Sequence, residues 1–336
     1  MYLIIRKLLF LFDPEVAHHI AMWGLKIVNS LGLLCLLPQV PKCKSRVVFN
    51  IKFENPVGLA AGLDKNAEYL DILSKLGFGF IEVGTITPLA QPGNPKPRSF
   101  RLTEEEGIIN RFGFNNVGID RAINNIKSSN FSGVLGINIG KNFSTPIESA
   151  ADDYLICFRK SYLYASYIVI NISSPNTKNL RQLQGYDFFE NLISSIKSEQ
   201  KKLCKYHNKY TPFLVKISPD TSINDLNNIC DIALKFKVDG IIATNTTIKR
   251  ETVKSNPQHV EEGGLSGKPL YEDALKTQKY IYQRLQKEIP IIGVGGIMSG
   301  DDGLNRLENG ADLIQIYSGL IFKGHNLIHE LCKRIQ

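Results

Sequence analysis

Residues 167–177 read Y-I-V-I-N-I-S-S-P-N-T. An unbroken apolar run without alternation is the pattern of a strand buried on both faces, as in a parallel sheet. This one runs into two asparagines, two serines and a threonine set around a proline. Asn and Ser are poor strand formers, so the stretch is either an ordinary loop start or a strand that delivers polar groups to a site. The other strands decide between the two. From residue 55 onward eight short apolar runs recur, at 56–60, 80–84, 134–139, 167–172, 213–217, 240–244, 289–294 and 313–317. Helix-length stretches separate most of them, for example 188–204, 223–236, 274–287 and 303–309. Such alternation predicts a parallel sheet covered by helices, and eight units over about 250 residues fit an α/β fold of the (β/α)8 TIM-barrel type. No G-x-G-x-x-G follows the first run, which argues against a doubly wound dinucleotide-binding sheet.

The carboxyl ends of these runs share a chemistry. They are Ala60-Ala61-Gly62-Leu63-Asp64-Lys65, Thr85, Asn138-Ile139-Gly140-Lys141, Asn171, Lys216, Thr244-Asn245-Thr246, Gly295-Gly296 and Tyr317-Ser318-Gly319. Polar or glycine residues at all eight ends mark the mouth of a barrel, where barrel enzymes keep their active sites. The glycines after strands seven and eight suit an anion cradle of backbone N–H groups. Lys216 sits inside the apolar run Leu214-Val215-Lys216-Ile217, and a charge buried there requires an anionic partner such as a phosphate or the N1–O2 edge of a reduced flavin. Asn138, Asn171, Asn176 and Asn245 offer uncharged donors and acceptors that match a planar heterocycle, a pyrimidine or an isoalloxazine. Carboxylates and histidines are scarce at the mouth, so no metal site is expected. Two long excursions, 88–116 and 248–269, are expected to complete the mouth.

The chain has 336 residues, 43% of them hydrophobic, with a net charge of +8. The lysines are scattered rather than blocked, which favours solvated surface charge over a nucleic-acid patch. Cys35, Cys43, Cys157, Cys204, Cys230 and Cys332 show no metal-ligand spacing and read as reduced thiols of a cytosolic protein. The first 37 residues are rich in Leu, Ile, Val, Phe and Trp, but Arg6, Lys7 and Lys26 interrupt them. A spanning helix needs about 20 mainly apolar residues, so no transmembrane segment is expected, and the basic pair inside the apolar run argues against a signal peptide. Asp13-Pro14-Glu15 is a helix start. Two short greasy helices follow from this, either docked on the main domain as core or lying in a lipid boundary with their basic residues at anionic headgroups.

Several strings resemble the dihydroorotate dehydrogenases, specifically the membrane-associated, quinone-linked class 2: GLAAGLDK (58–65), INRFGFNN (109–116), GINIGKN (136–142), INISSPNT (170–177), IATNTT (242–247), GGLSGKPL (263–270), IIGVGGI (291–297) and QIYSG (315–319). The resemblance runs over essentially the whole chain. It implies one FMN per chain, with Ala61, Gly62, Leu63, Asp64, Lys65, Thr85, Asn138, Asn171, Lys216 and Thr244 along its ring and ribityl chain. Gly267, Gly296, Tyr317 and Ser318 would hold the phosphate end. Dihydroorotate or orotate would be held by Lys65, Asn110, Arg111, Phe112, Gly113, Phe114, Asn171, Asn176, Asn245 and Thr246.

In that family a base removes the C5 proton of dihydroorotate while hydride passes from C6 to flavin N5. The position matching the base is Ser174, and no cysteine stands in its loop, as class 1 would require. Thr177 is the candidate to activate it, directly or through water. The 178–185 segment (KNLRQLQG) that follows is a candidate to close over substrate. The resemblance also implies that residues 1–40 form a membrane-associating helical segment on the cytoplasmic face of the cell membrane and that 41–336 form the catalytic barrel. His18, Arg101 and Tyr317 would line a quinone tunnel, and no nucleic acid is implied. A flavin barrel of the dihydrouridine synthase type would need a catalytic cysteine in a mouth loop and an RNA-binding segment; neither is visible. A non-catalytic membrane scaffold would need neither a lysine inside strand five nor amides at four strand ends.

Overall fold

The computed structural model describes residues 2–177 and 180–336, with the side chains of Cys35 and Leu36 outside that description. Two helices lead the chain, α1 (Tyr2–Leu9) and α2 (Pro14–Ser30). Asp13 caps α2 as its position before Pro14 requires: Oδ1 accepts from the amides of Glu15 at 2.9 Å and Val16 at 3.2 Å. A hairpin of β1 (Arg46–Val48) and β2 (Ile51–Phe53) follows, then β3 (Val57–Leu59), the short helix α3 (Leu70–Leu73) and β4 (Phe80–Ile86). The 88–116 excursion contributes β5 (Ser99–Leu102) and β6 (Gly107–Asn110), and leads to α4 (Ile119–Ser128). The order continues β7 (Val134–Ile139), α5 (Ala150–Ser161), β8 (Tyr167–Asn171), α6 (Tyr186–His207), β9 (Phe213–Ile217), α7 (Ile223–Phe236) and β10 (Gly240–Ala243). It ends with β11 (Gly264–Gly267), α8 (Tyr271–Leu285), β12 (Ile291–Val294), α9 (Gly300–Glu308), β13 (Leu313–Ile316), α10 (Ser318–Lys323) and α11 (His325–Arg334).

All eight expected runs are strands, and they close in chain order, β3-β4-β7-β8-β9-β10-β12-β13 and back to β3. Every pair in the ring is parallel. β8 is buried along its whole length, as its unbroken apolar run predicted. Apolar residues fill the barrel interior (Phe80, Tyr167, Val169, Leu214, Ile242, Ile292, Leu313). A second, larger core joins the outer faces of the strands to the helices, with Ile168, Phe158, Ile193, Ile229 and Ile328 among its members.

Two features at the barrel ends lay beyond the sequence pattern. The β1–β2 hairpin stoppers the amino end of the barrel, where the Phe53 ring stands 5.1 Å from that of Phe80 and Phe49 closes on the start of β10 at Gly240. At the carboxyl end the two long excursions pair with each other. β11 from the second joins β6 and β5 from the first in one antiparallel sheet, sealed by Leu102, Ile109, Val253 and Leu265. The segments are about 150 residues apart in sequence, and each is too short to announce itself as a strand.

Polar ties hold α1 and α2 to this body. Arg101 of β5 donates to the backbone oxygens of Leu9, Phe10 and Phe12, and its guanidinium lies 4.5 Å from the Phe10 ring. Glu15 of α2 forms a forked pair with buried Arg98, at 2.8 and 3.0 Å. No helix among the described residues is long and apolar enough to cross a membrane.

Candidate active site

The strand ends converge on one cleft at the carboxyl rim. Its wall contains Ala61, Gly62, Lys65, Thr85, Asn171, Lys216, Thr244, Gly267, Gly296, Tyr317 and Ser318 from the expected cofactor set. From the expected substrate set it contains Asn110, Phe112, Gly113, Phe114, Asn176, Asn245 and Thr246. Ser174 is on the same wall and nearly buried. Four expected contacts stand behind the wall instead. Leu63 is in the core. Asp64 turns its carboxylate to the amides of Glu68 and Tyr69 at 2.9 and 2.8 Å, where it shapes the loop after β3. Arg111 points outward to Glu261 at 2.7 Å. Asn138 is fully buried and spends its side chain on neighbours.

Those neighbours form a network that the linear pattern did not show. Asn138 Oδ1 accepts from Thr85 Oγ1 at 2.6 Å and from Asn171 Nδ2 at 3.2 Å. Asn171 Nδ2 also donates to Thr85 Oγ1 at 3.0 Å, while its Oδ1 accepts from Ser173 Oγ at 3.0 Å and Asn245 Nδ2 at 3.4 Å. Beneath them lies Glu82, fully buried in β4. Its carboxylate accepts from Asn138 Nδ2 at 2.8 Å, Gln315 Nε2 at 2.7 Å and the Tyr167 hydroxyl at 3.3 Å. Sequence reasoning missed Glu82 and Gln315, although the signal was the one that singled out Lys216: a polar residue inside an apolar strand.

Lys216 is paired in register with Asn171 across β8 and β9. It is buried and makes no hydrogen bond or ion pair among the described residues. Burial pushes its pKa down, and the Glu82 carboxylate opposes that shift. Lys65 donates to the carbonyl of Gly62 at 2.9 Å and lies 4.2 Å from the centroid of Phe112. Burial lowers its pKa to about 8. Tyr317 packs beside Gly62, where an added Cβ would meet its ring at 3.3 Å, and burial pushes its phenol up to about 12.

Ser174 Oγ accepts from the amide of Asn176 at 3.2 Å. Thr177 makes no direct bond to it: the Thr177 hydroxyl is buried with no partner among the described residues, because the 174–177 turn presents the Asn176 amide to Ser174 instead. Of the 178–185 segment, Lys178 and Asn179 lie outside the described residues. The remainder is anchored by Gln184, whose Nε2 donates to Ile172 O at 3.1 Å and whose Oε1 accepts from Thr221 Oγ1 at 2.6 Å. His18 stands on α2 with its ring 6.4 Å from that of Tyr69. Burial, then the charges of Lys65 and His19, push its pKa down to about 4. Arg101 is occupied in holding the end of α1.

The dihydroorotate dehydrogenase family model matches residues 44–336. The chain belongs to the dihydroorotate dehydrogenase family. Relatives named dihydroorotate dehydrogenase (quinone) are 50% identical in Methylobacillus flagellatus, covering 100% of this chain and 99% of that protein. One from Neisseria meningitidis serogroup B is 52% identical, again over 100% of this chain and 99% of the relative. Among solved structures, the dihydroorotate dehydrogenase of Eimeria tenella in complex with ferulenol superposes with a TM-score of 0.88 at 37% identity, over 96% of this chain and 90% of that one.

Glu82→Leu removes one acceptor from three buried donors, and each orphaned donor costs about 1–3 kcal/mol. We expect urea unfolding to show a stability loss of about 3 kcal/mol or more. A loss below about 1 kcal/mol would mean that Asn138, Gln315 and Tyr167 find other partners.

Proposed function

We propose that the protein oxidises dihydroorotate to orotate, in pyrimidine biosynthesis, with FMN in the cleft and a membrane quinone as final acceptor. What carries this reading is the donor set of the cleft. A buried ammonium without a hydrogen-bond or ion-pair partner among the described residues, Lys216, stands on one wall. Two glycine amides without acceptors among the described residues, those of Gly295 and Gly296, stand on another. An isoalloxazine edge suits the first and a phosphate the second. Gly267 supports the same fit, because its φ of +91° and the Glu106 oxygen 2.2 Å from where a Cβ would stand leave room only for backbone. Lys216 and the Gly295 and Gly296 amides would hold FMN, which when bound would supply two-electron acceptor chemistry toward the substrate and donor chemistry toward the quinone.

The protein's own groups do the rest. Lys65 holds the substrate carboxylate while the side-chain amides of Asn110, Asn176 and Asn245 meet the pyrimidine edge. Phe112, pressed under Lys65, closes that side and excludes water. Ser174 takes the C5 proton. No carboxylate, imidazole or thiol lines the cleft among the described residues, so the proton acceptor is drawn from hydroxyls and amines, and Lys65 is engaged with the carboxylate. A serine is a weak base and acts here through position. Thr177, whose hydroxyl has no partner among the described residues, links to Ser174 through water.

Residues 1–40 form the membrane-facing unit and 41–336 the catalytic barrel. Leu8 and Trp23, 58% and 67% exposed, belong to an apolar face that also carries Leu3, Ile4, Leu11 and Leu31. A greasy face with Arg6, Lys7 and Lys26 nearby suits peripheral attachment at the lipid boundary. The quinone head is taken to pass along His18, whose pKa burial lowers to about 4, Arg101, which holds the end of α1, and Tyr317 on the cleft wall.

Ser174→Ala is expected to keep FMN affinity while slowing anaerobic flavin bleaching by dihydroorotate at least about a hundredfold; an unchanged rate in stopped flow removes Ser174 as the base. The Lys65 ammonium is lost as pH rises through about 8. Orotate affinity should therefore be flat below that pH and fall steeply above it, whereas Lys65→Met should bind weakly with no such dependence. Binding that stays constant to pH 10 would exclude Lys65 as the carboxylate's partner. Leu8→Glu combined with Trp23→Glu should abolish co-sedimentation with phosphatidylethanolamine–phosphatidylglycerol vesicles and impair turnover with a long-chain quinone. Reduction of a soluble dye by the same variant should remain intact, and vesicle binding equal to the parent's would refute the membrane face.

A further inference from the structure

Arg306, on α9, is completely buried and forms no ion pair with a carboxylate among the described residues. A guanidinium in that position needs every donor satisfied, and burial lowers its pKa to about 10. Backbone oxygens at the ends of two strands serve it instead. Nη2 donates to Ala243 O at 2.7 Å and Val294 O at 3.2 Å, and Nη1 donates to Gly295 O at 3.2 Å. Nε donates to Gln278 Oε1 at 2.6 Å, and Gln278 Nε2 returns to Arg306 O at 2.7 Å. Gly293 is a glycine because of this packing: a Cβ there would lie 2.6 Å from Gln278 Oε1 and 3.2 Å from Arg306 Nε.

The consequence lies on the other side of the same peptides. The 294–295 and 295–296 bonds are not among the cis bonds of the chain, and in a planar trans peptide the C=O and N–H point in opposite directions. Drawing the oxygens of Val294 and Gly295 toward Arg306 therefore turns the N–H groups of Gly295 and Gly296 away from it. Both glycines line the cleft, and neither amide donates to another group among the described residues. Their φ values are +116° and +75°, and successive amides in such a turn form a concave anion seat. Joining β10 to β12 does not require Arg306, because the ladder already pairs them from Ile241↔Ile291 to Ala243↔Gly293. Beyond that last pair the Thr244 amide still donates to Val294 O at 2.8 Å, so Arg306 shares the Val294 carbonyl with the ladder, whereas no backbone amide among the described residues donates to Gly295 O.

We propose that Arg306 is a positioning residue for the flavin phosphate: by fixing the Gly295 carbonyl on the helix side, it aims the Gly296 amide at the anion, beside a Gly295 amide that Arg306 and the Thr244 bond orient together. The inference rests on the FMN reading above and names what makes the cradle a cradle. A forked guanidinium serves carbonyls in two directions at once, whereas an ammonium is a point donor.

The test is flavin affinity rather than turnover. Holoenzyme is stripped of flavin and titrated with FMN and, separately, with riboflavin, which has the ring and ribityl chain but no phosphate. The parent protein should prefer FMN strongly; equal affinities would overturn the FMN reading and this inference with it. With that preference present, Arg306→Lys should weaken FMN at least about tenfold while leaving riboflavin within about threefold. Gln278→Leu, which frees the guanidinium from its Nε anchor but keeps the charge, should show the same selective loss to a smaller degree. It decides the matter if Arg306→Lys does not fold. A loss shared equally by FMN and riboflavin, or no loss of FMN, would make Arg306 a general strut and overturn the proposal.

Discussion

A parallel ladder that closes on itself has no free edge, and its eight strands must all finish at one rim. Each strand satisfies its backbone groups on both sides, so stability comes from the ring and the helices around it. The side chains at the carboxyl ends are then free to be polar. Register sets which of them are neighbours: Asn171 stands beside Lys216 and Val294 beside Gln315 because β8–β9 and β12–β13 pair as they do. A slip of one residue would turn those side chains to the opposite face of the sheet. Closure is thus the constraint on which the site depends.

Two buried cations near that rim have different fates. Arg306 donates to Gln278 and to the carbonyls of Ala243, Val294 and Gly295, and so acts on the backbone. Lys216 has no such partner among the described residues; burial lowers its pKa, and the Glu82 carboxylate opposes that at longer range. In a medium of low dielectric an unpaired ammonium is unfavourable unless something anionic completes it. Glu82 in turn is held by three donors, so it cannot swing to neutralise Lys216 directly.

The amino-terminal helices are attached in the opposite manner. Alongside the ties of Arg98 and Arg101, the Tyr2 hydroxyl donates to Ile321 O at 2.6 Å and Arg6 to Phe322 O at 2.8 Å. These bonds fix orientation, while much of the apolar surface of α1 and α2 faces outward. A core element would be expected to reverse that balance. Glu15 also raises the pKa of Lys65 from across the interface, so the docked helix contributes charge to the site as well as covering it.

The eight strands, their order and the polar rim were legible in the amino-acid string, because unbroken apolar runs ending in Asn, Lys, Thr or Gly depend only on local pattern. The placement of Ser174, Lys65 and Lys216 on one cleft wall follows from that pattern once the barrel closes. Other features are decided by tertiary structure alone. Pairing of β11 with β6 joins segments whose local propensity is weak. The withdrawal of Asn138 from the wall depends on Glu82 lying beneath it. Thr177 loses its direct link to Ser174 through the shape of a four-residue turn, and Arg306 gains its role through which way two peptide planes face. Local pattern is encoded by neighbours along the chain, but hydrogen-bond partners and peptide orientations are chosen among groups distant in sequence, and only packing selects them.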